Sequence, residues 1–415
     1  MISVFTPTHR PTTLQRAYNS LKEQTFSNWE WVLLINGKML PQDVPQEIQW
    51  DSRVRVFSSD KATNVGALKG EACAYAKGDL LVELDHDDEL RSDCLSKLHD
   101  ASQKNPGGFY FSDFCELSPE GVSKTYDAAY GWSNYSTQWD DGKQLTAMVA
   151  KEVTARSLYQ IFFAPNHVRA WSREAYEKSG GYRPLSVCDD HDLMIRTYLA
   201  GVPMVRIPEC LYLQHCHPEQ TQVIRNKKIQ DKQAELGAQN LPALCLEWAR
   251  RNELTALDLG AVHNPTPGYL TVDKHAGADF QMDVTEGLLF PDNSVGVIRA
   301  FDFLEHIPIG QVVPFLNECY RVLAPGGWML TSTPSTDGRG AFQDPTHVSF
   351  WNANSFWYYT QEQHRKYVPE ITARFQLTRV HNYFPSDWHT KNNIPYVAAD
   401  LWAIKGQEIC GQVLI

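Results

Sequence analysis

Four carboxylates, Asp85, Asp87, Asp88 and Glu89, fall within five residues of the run Glu83-Leu84-Asp85-His86-Asp87-Asp88-Glu89. Packing like charges this closely is unfavourable unless something positive arrives, and a hard divalent cation carrying phosphate oxygens meets that need. The run also reads as a solvated acidic turn ahead of a helix, because Asp and Glu favour helix starts. Further along stand a second acidic block, Asp189-Asp190-His191-Asp192, and two histidines, His215 and His217, after an apolar run. A histidine pair at this spacing proves little about a metal without a third ligand. Between the acid blocks, Tyr126 to Trp139 is rich in aromatics and Ala164 to Trp171 follows it. Aromatic faces suit the apolar faces of sugars or bases, and they serve local packing equally well.

These residues need elements to hold them. Leu80, Leu81 and Val82 read as a buried strand, which puts the first acid cluster where a parallel strand leaves its sheet, the edge at which open α/β sheets bind ligands. Upstream, Ile2 to Thr6 is a short apolar strand, and Thr12 and Thr13 are placed to cap a helix through Leu14, Ala17, Leu21 and Gln24. Trp29 to Ile35 and Val54 to Phe57 read as two more strands, and Gly66 to Lys77 as a helix stopped at Gly78. Alternating strands and helices specify a parallel sheet with covered faces. From Thr221 a long charged helical segment, interrupted around Gly237 to Pro242, reads as a connector. A fresh α/β series then starts at Thr255 and includes Gly268 to Asp273, Phe280 to Val284, Leu289 to Ile298 and Tyr320 to Leu330. Phe375 to Val380 and Tyr396 to Ile404 suit closing antiparallel strands. The expected division is residues 1–220, a connector over 221–250, and residues 251–415.

With 415 residues and a hydrophobic fraction of 43%, the chain has material for two well-filled cores. A formal charge of −11 argues against a broad surface for duplex nucleic acid, although not against a local groove. The nine cysteines show no CxxC or paired spacing, which suits a reducing cytosol better than a disulfide framework or a zinc site. No apolar run reaches membrane-spanning length, and the N-terminus enters a strand directly. A soluble cytoplasmic protein without an integral membrane segment is the expectation.

Three ordered motifs, ISVFTPTHRP, NVGALKGEACAYAKGDLLVELDHDD and GGYRPLSVCDDHDLMIRTYLAG, together resemble a family 2 glycosyltransferase of the GT-A fold across about the first half of the chain. The resemblance implies that Asp85 and Asp87 form the DXD signature for metal and diphosphate, with Asp88 beside them. It implies that Pro7, Thr8 and Arg10 form the loop meeting the nucleoside, and that Lys69 stands where the family often has an arginine near the base. Asn36 replaces the acid that commonly reads the nucleobase, so the nucleotide stays open. The family's acidic pair falls on Asp189 and Asp190: Asp190 is implied as the base that takes the acceptor hydroxyl's proton, and Asp189 as an acceptor-side residue. The competing reading is a helix that starts with acids at its positive end, and Asp192 fits that reading better. His217, with His215 as second choice, matches the histidine that completes the metal shell with Asp87. Asp113 matches a family acid near the acceptor, and Trp171 belongs to the aromatic acceptor candidate.

The later blocks LFPDNSVGVI, LEHI and RVLAPGG resemble a class I methyltransferase domain that binds S-adenosylmethionine. That resemblance puts Gly260 in the cofactor loop, Asp273 on the ribose hydroxyls and Asp283 near the adenine. The loop departs from the family's pattern, because the seven residues Ala261 to Pro267 include two prolines and leave no room for a helix of normal length. Gly338 to Trp351, with Asp344 and His347, reads as a lid or equally as a capped loop.

The fold expected is α/β in two domains: a GT-A nucleotide-diphospho-sugar transferase fold followed by a Rossmann-like methyltransferase fold. The activity implied is inverting, metal-dependent transfer of a sugar from a nucleotide-diphosphate donor to an acceptor hydroxyl, with Mn²⁺ or Mg²⁺ as cofactor. A second activity, S-adenosylmethionine-dependent methylation of the same product, is implied for the later domain. The alternative is a degenerate methyltransferase-like domain used for acceptor binding or assembly. A further alternative is a protein that binds sugars without transferring them. The acceptor is left among a glycan, a lipid-linked precursor and a modified nucleobase.

Overall fold

The strands β1 (Ile2–Thr8) and β2 (Trp29–Ile35) are continuous apolar runs, as parallel strands covered on both faces require, and nearly every residue in them is buried. They belong to a computed structural model that describes residues 1–60 and 62–406. The chain divides into two compact units, one of Met1–Ala128 with Trp132–Leu244, the other of Ala129–Gly131 with Cys245 onward.

In the first unit, β3 (Val54–Ser58), β4 (Leu80–Glu83), β5 (Glu89–Leu90) and β6 (Phe109–Leu117) join β1 and β2. The short β7 (Ser123–Lys124), β8 (Asn134–Gln138) and β9 (Gln144–Met148) form a side branch on β6. Two later strands, β10 (Arg169–Ser172) and β11 (Met204–His215), complete the sheet in the order β3-β2-β1-β4-β10-β6-β11-β5. Strands β3, β2, β1 and β4 run parallel, and β10 inserts antiparallel to both β4 and β6. The insertion sets Arg169 opposite Glu83.

Helix Val65–Tyr75 is capped by Asn64, whose side chain accepts from the Ala67 amide at 3.0 Å. Its Gly66 lies so close to the loop before the second acid block that a Cβ there would sit 2.1 Å from the Arg183 carbonyl oxygen. Only glycine allows this approach, which draws helix Asp189–Leu199 in beside the end of β4.

Two local expectations are corrected here. Thr13 makes no side-chain cap; a 3-10 turn, Pro11–Thr13, leads into helix Leu14–Lys22 instead. The break expected at Gly237 to Pro242 is absent, and Asn226–Arg251 is one helix with Pro242 inside it. Burial of Leu236, Leu241, Leu244 and Cys245 offsets the backbone hydrogen bond that the proline removes.

The second unit holds β12 (Thr255–Leu259), β13 (Leu270–Asp273), β14 (Phe280–Gln281), β15 (Val295–Phe301), β16 (Leu323–Pro334), β17 (Phe375–Tyr383) and β18 (Tyr396–Ala403). The order is β14-β13-β12-β15-β16-β18-β17. The first five strands are parallel, and β18 is antiparallel to both β16 and β17, as the closing strands were expected to be. The strand expected over Phe280 to Val284 stops at Gln281, because Asp283 turns to cap the 3-10 turn Val284–Glu286 by accepting from the Thr285 amide at 2.9 Å. No helix lies between β12 and β13, in agreement with the two prolines there. Among the described residues all eight cysteines are free and buried, and no helix is long and apolar enough to cross a membrane.

Candidate functional site

Strand β4 pairs with β1 as far as Phe5 and Glu83, and the chain then leaves the sheet into Asp85-His86-Asp87-Asp88. The first acid cluster therefore stands at the strand-end edge, next to the end of β1. There Pro7 is half-buried and Thr8 buried; the Thr8 hydroxyl accepts from the Arg10 amide at 3.2 Å, and the Asn36 side chain donates to the Thr8 carbonyl at 2.9 Å. Arg10 meets Glu219 at 2.9 Å. Thr8 thus links Arg10 and Asn36 at the end of β1.

The acids divide by direction. Asp87 faces His217, with Oδ2 and Nε2 2.8 Å apart, and both side chains keep some exposure. His215, the second choice, is engaged elsewhere: its Nε2 lies 2.6 Å from Glu89 and its amide donates to Asp88 at 2.8 Å. Asp88 points inward and also accepts from the Tyr212 hydroxyl at 2.9 Å. Burial, reinforced by the charges of Asp85 and Asp87, pushes its carboxyl well above the usual range.

A chain of polar contacts runs from the first acid block to the second. The Asp85 carboxylate lies 3.5 Å from His167 Nε2, and Arg169 donates to that same nitrogen at 2.7 Å. The Arg169 guanidinium also donates to Glu83 at 2.9 Å and to Asp190 at 2.6 Å. Burial disfavours the charge on Asp190, but Arg169 and Lys69 outweigh it and hold the carboxyl below its ordinary value. Asp190 keeps about a fifth of its side chain exposed, so it stays ionised and reachable.

Beneath this surface lies a buried ion cluster. Lys69 sits 2.5 Å from Glu83 and 3.0 Å from Asp189. Burial alone would lower Lys69, yet Asp189 and Glu83 raise it well above the ordinary lysine value. Burial likewise works against Glu83, and Arg169 and Lys69 overcome it and hold its carboxyl well down. Asp189 is pushed up to about 6 by burial, against the pull of Lys69.

The three residues expected on the acceptor side are all held in buried contacts. Trp171 is 0% exposed: as the third residue of β10 it packs on Phe109 and Tyr182 and donates to Thr197 at 3.1 Å. Asp113 is 1% exposed and accepts from Arg206 at 2.8 Å and from the Ala150 amide at 2.8 Å. Asp189 is buried against Lys69. In the aromatic run, Trp132 packs against Tyr126 and against Phe162 and Phe163 from further along the chain. Asp192 pairs with Arg196 at 2.7 Å, one helical turn on.

Glu83, His167 and Arg169 stood inside stretches that the sequence singled out, but none of them was given a role of its own. The available signal was a charged residue inside the short apolar run Val168-Arg169-Ala170-Trp171, since a buried arginine demands buried acids as partners.

In the second unit, Gly260 closes β12 at φ +72°, and a Cβ there would lie 2.5 Å from the Phe303 ring. Asp273 ends β13, buried, accepting from the His275 amide at 3.0 Å. Asp283 is exposed and also takes the Thr285 hydroxyl at 2.7 Å. Gly260 and Asp273 are therefore at adjacent strand ends, and Asp283 lies beyond the end of β14.

Comparison with known proteins agrees with this division. Residues 3–178 match the model of glycosyl transferase family 2, and residues 241–331 match that of a methyltransferase domain. Asp190 and His217 lie beyond the first matched stretch, within the same compact unit. A probable S-adenosylmethionine-dependent methyltransferase from Mycolicibacterium smegmatis is 37% identical over 81 residues, 18% of this chain and 31% of that protein. The chain thus spans about a third of that relative's length. Among solved structures, Staphylococcus aureus TarS 1–349 in complex with UDP-GlcNAc is similar at 13% identity and a TM-score of 0.41, over 53% of this chain and 59% of that one. The mannosyltransferase PcManGT from Pyrobaculum calidifontis, in complex with GDP-Man and Mn2+, is similar at 15% identity and a TM-score of 0.40, over 64% and 76%. The first part of the chain thus resembles glycosyl transferase family 2, and the part that follows resembles a methyltransferase domain.

Proposed function

We propose that the first unit transfers a sugar from a nucleoside-diphosphate donor to an acceptor hydroxyl, with inversion at the anomeric carbon. The observation that supports this best is the contact chain Asp85–His167–Arg169–Asp190, which links a diphosphate-side acid to an ionised carboxylate at the same sheet edge. Asp190 is the base. Held in its charged form by Arg169, it is ready to accept the hydroxyl proton, and a single base opposite the leaving group gives inversion.

The donor set at the edge suits a Mn²⁺ or Mg²⁺ ion: an Asp87 carboxylate oxygen and an imidazole nitrogen of His217, already 2.8 Å apart, with Asp85 on the same turn. A cation held by these residues would supply charge neutralisation to the departing diphosphate. Thr8, Arg10 and Asn36 shape the nucleoside side. Lys69 acts from beneath, fixing Glu83 and Asp189 in place. The test is release of free nucleoside diphosphate from a panel of uridine- and guanosine-diphosphate sugars with Mn²⁺, by wild type and by Asp190→Asn.

For the second unit we propose S-adenosylmethionine binding at the ends of β12 and β13, with Gly260 giving backbone access and Asp273 holding ribose hydroxyls, and methylation of the glycosylated product. A second reading, an acceptor-gripping domain without turnover, is favoured by the missing helix after β12, whose N-terminal amides would otherwise face the cofactor. Titrating S-adenosylmethionine into the full chain separates the two: saturable heat, lost in Asp273→Ala, supports methylation, and no heat supports the grip.

A further inference from the structure

A cluster of donor side chains in the second unit is used by neither proposed transfer. Glu305 and His306 lie on the 3-10 turn Leu304–His306, shortly after β15, and His347 follows helix Gly340–Gln343. One ligand atom from each of the three comes within 4.8 Å of the other two. Metal bonds of about 2.1 Å at tetrahedral angles put ligand atoms roughly 3.4 Å apart, so small side-chain rotations close the group on an ion.

Each of the three is oriented from behind. The Thr333 hydroxyl donates to Glu305 Oε2 at 2.6 Å. His306 Nδ1 lies 3.2 Å from the Thr346 carbonyl oxygen and 3.3 Å from that residue's hydroxyl, and His347 Nδ1 lies 3.1 Å from the Ala341 carbonyl oxygen. A carbonyl only accepts, so both rings carry a proton on Nδ1, the tautomer in which a neutral imidazole offers its Nε2 lone pair to a metal. The backbone ties the pieces together: the Val348 and Ser349 amides donate to the Glu305 carbonyl at 2.8 and 3.0 Å. The loop carrying His347 is thereby fastened to the turn carrying the other two. In front of them opens a cavity of about 190 Å³, also lined by Asp302, Asp344 and Tyr396. The Asp344 carboxylate lies 3.9 Å from His347 Nε2 and adds negative charge beside the group.

We propose that Glu305, His306 and His347 bind one divalent transition-metal ion of the zinc class, with its remaining coordination position turned to this cavity to take an oxygen ligand from a small molecule. One carboxylate and two imidazoles is a catalytic zinc donor set, and it disfavours Mg²⁺ and Ca²⁺, which prefer all-oxygen shells. The site stands on these residues alone, whether or not the unit methylates.

The test is equilibrium dialysis of the chelator-stripped full chain against Zn²⁺, with Mg²⁺ in excess, followed by Co²⁺ substitution and visible absorption. The variants are His306→Ala, His306→Gln, His347→Ala and, as a control in the first unit, Asp87→Asn. Exposed His306 makes its replacements compatible with the fold, and an unchanged thermal melt checks this. The expected result is one tightly held Zn²⁺, weakened about 100-fold in each histidine variant and retained in Asp87→Asn, with Co²⁺ bands that vanish in the same histidine variants. Equal zinc affinity in wild type and the folded His306 variants overturns the assignment, as does zinc lost only in Asp87→Asn.

Discussion

Arg169 holds Asp190 at 2.6 Å with one guanidinium nitrogen while another part of the same guanidinium grips Glu83 at 2.9 Å. The residue proposed as base is thus locked to the strand that leads into the first acid cluster. Asp190 is ionised across the neutral range because its carboxyl is held down, and activity that needs the charged form disappears only as pH falls through that lowered value. Removing the cation raises the value, so the loss starts at higher pH. In Arg169→Met the acid limb of the kcat/KM profile should move up by about 1 to 3 pH units, and Arg169→Lys should return it most of the way. An unmoved limb in folded Arg169→Met would show that Asp190 is not the titrating base.

Lys69 is predicted to act on stability. Lys69→Met leaves Glu83 and Asp189 without their shared cation, at a cost of about 3 to 5 kcal/mol, read as a lower denaturant midpoint. The signs agree at neutral pH. The stabilisation from Lys69, whose value is raised, is complete below the ordinary lysine pKa, and that from Glu83, whose value is depressed, is complete above the ordinary carboxylate pKa. The first is lost as pH rises through the raised lysine value and the second as pH falls through the depressed glutamate value. Asp189→Asn added to Lys69→Met should recover part of the loss, because one orphaned charge goes with it.

The two histidines near the acid cluster should separate cleanly. His217→Ala is expected to weaken Mn²⁺ binding to the first unit by about 10- to 100-fold, whereas His215→Ala, whose imidazole is engaged by Glu89, should change it by less than about 3-fold. Mn²⁺ titration followed by electron paramagnetic resonance reads both. Equal effects would remove His217 from the proposed shell.

Gly260→Ala tests the second unit. The positive φ and the Phe303 ring 2.5 Å from the added Cβ should together cost more than about 1 kcal/mol, seen as a lower melting transition of that unit. An unchanged transition would mean that the β12 loop relaxes freely.

The parts of this architecture that rest on local pattern were legible in the chain. Leu80 to Val82 followed by acids marked a strand end, and the pairing of Asp87 with His217 across 130 residues followed from resemblance in motif order. The parts that depend on non-local register were hidden. Nothing near residue 169 says that β10 inserts antiparallel beside β4, and that insertion alone makes Arg169 the partner of Glu83 and hides Trp171. Asp113 shows the same limit: nothing beside it in sequence says that the neighbouring strand supplies Arg206 as its partner. Gly237 and Pro242 read as a break because helix propensity is local, while the burial that carries the helix through them is tertiary.

The most direct test is nucleoside-diphosphate release from sugar donors with Mn²⁺, comparing wild type with Asp190→Asn at matched fold stability. The account predicts acceptor-dependent turnover by wild type with at least one donor and a fall of about 10²- to 10⁴-fold in the variant, with donor binding retained. Turnover in Asp190→Asn equal to that of wild type would contradict it.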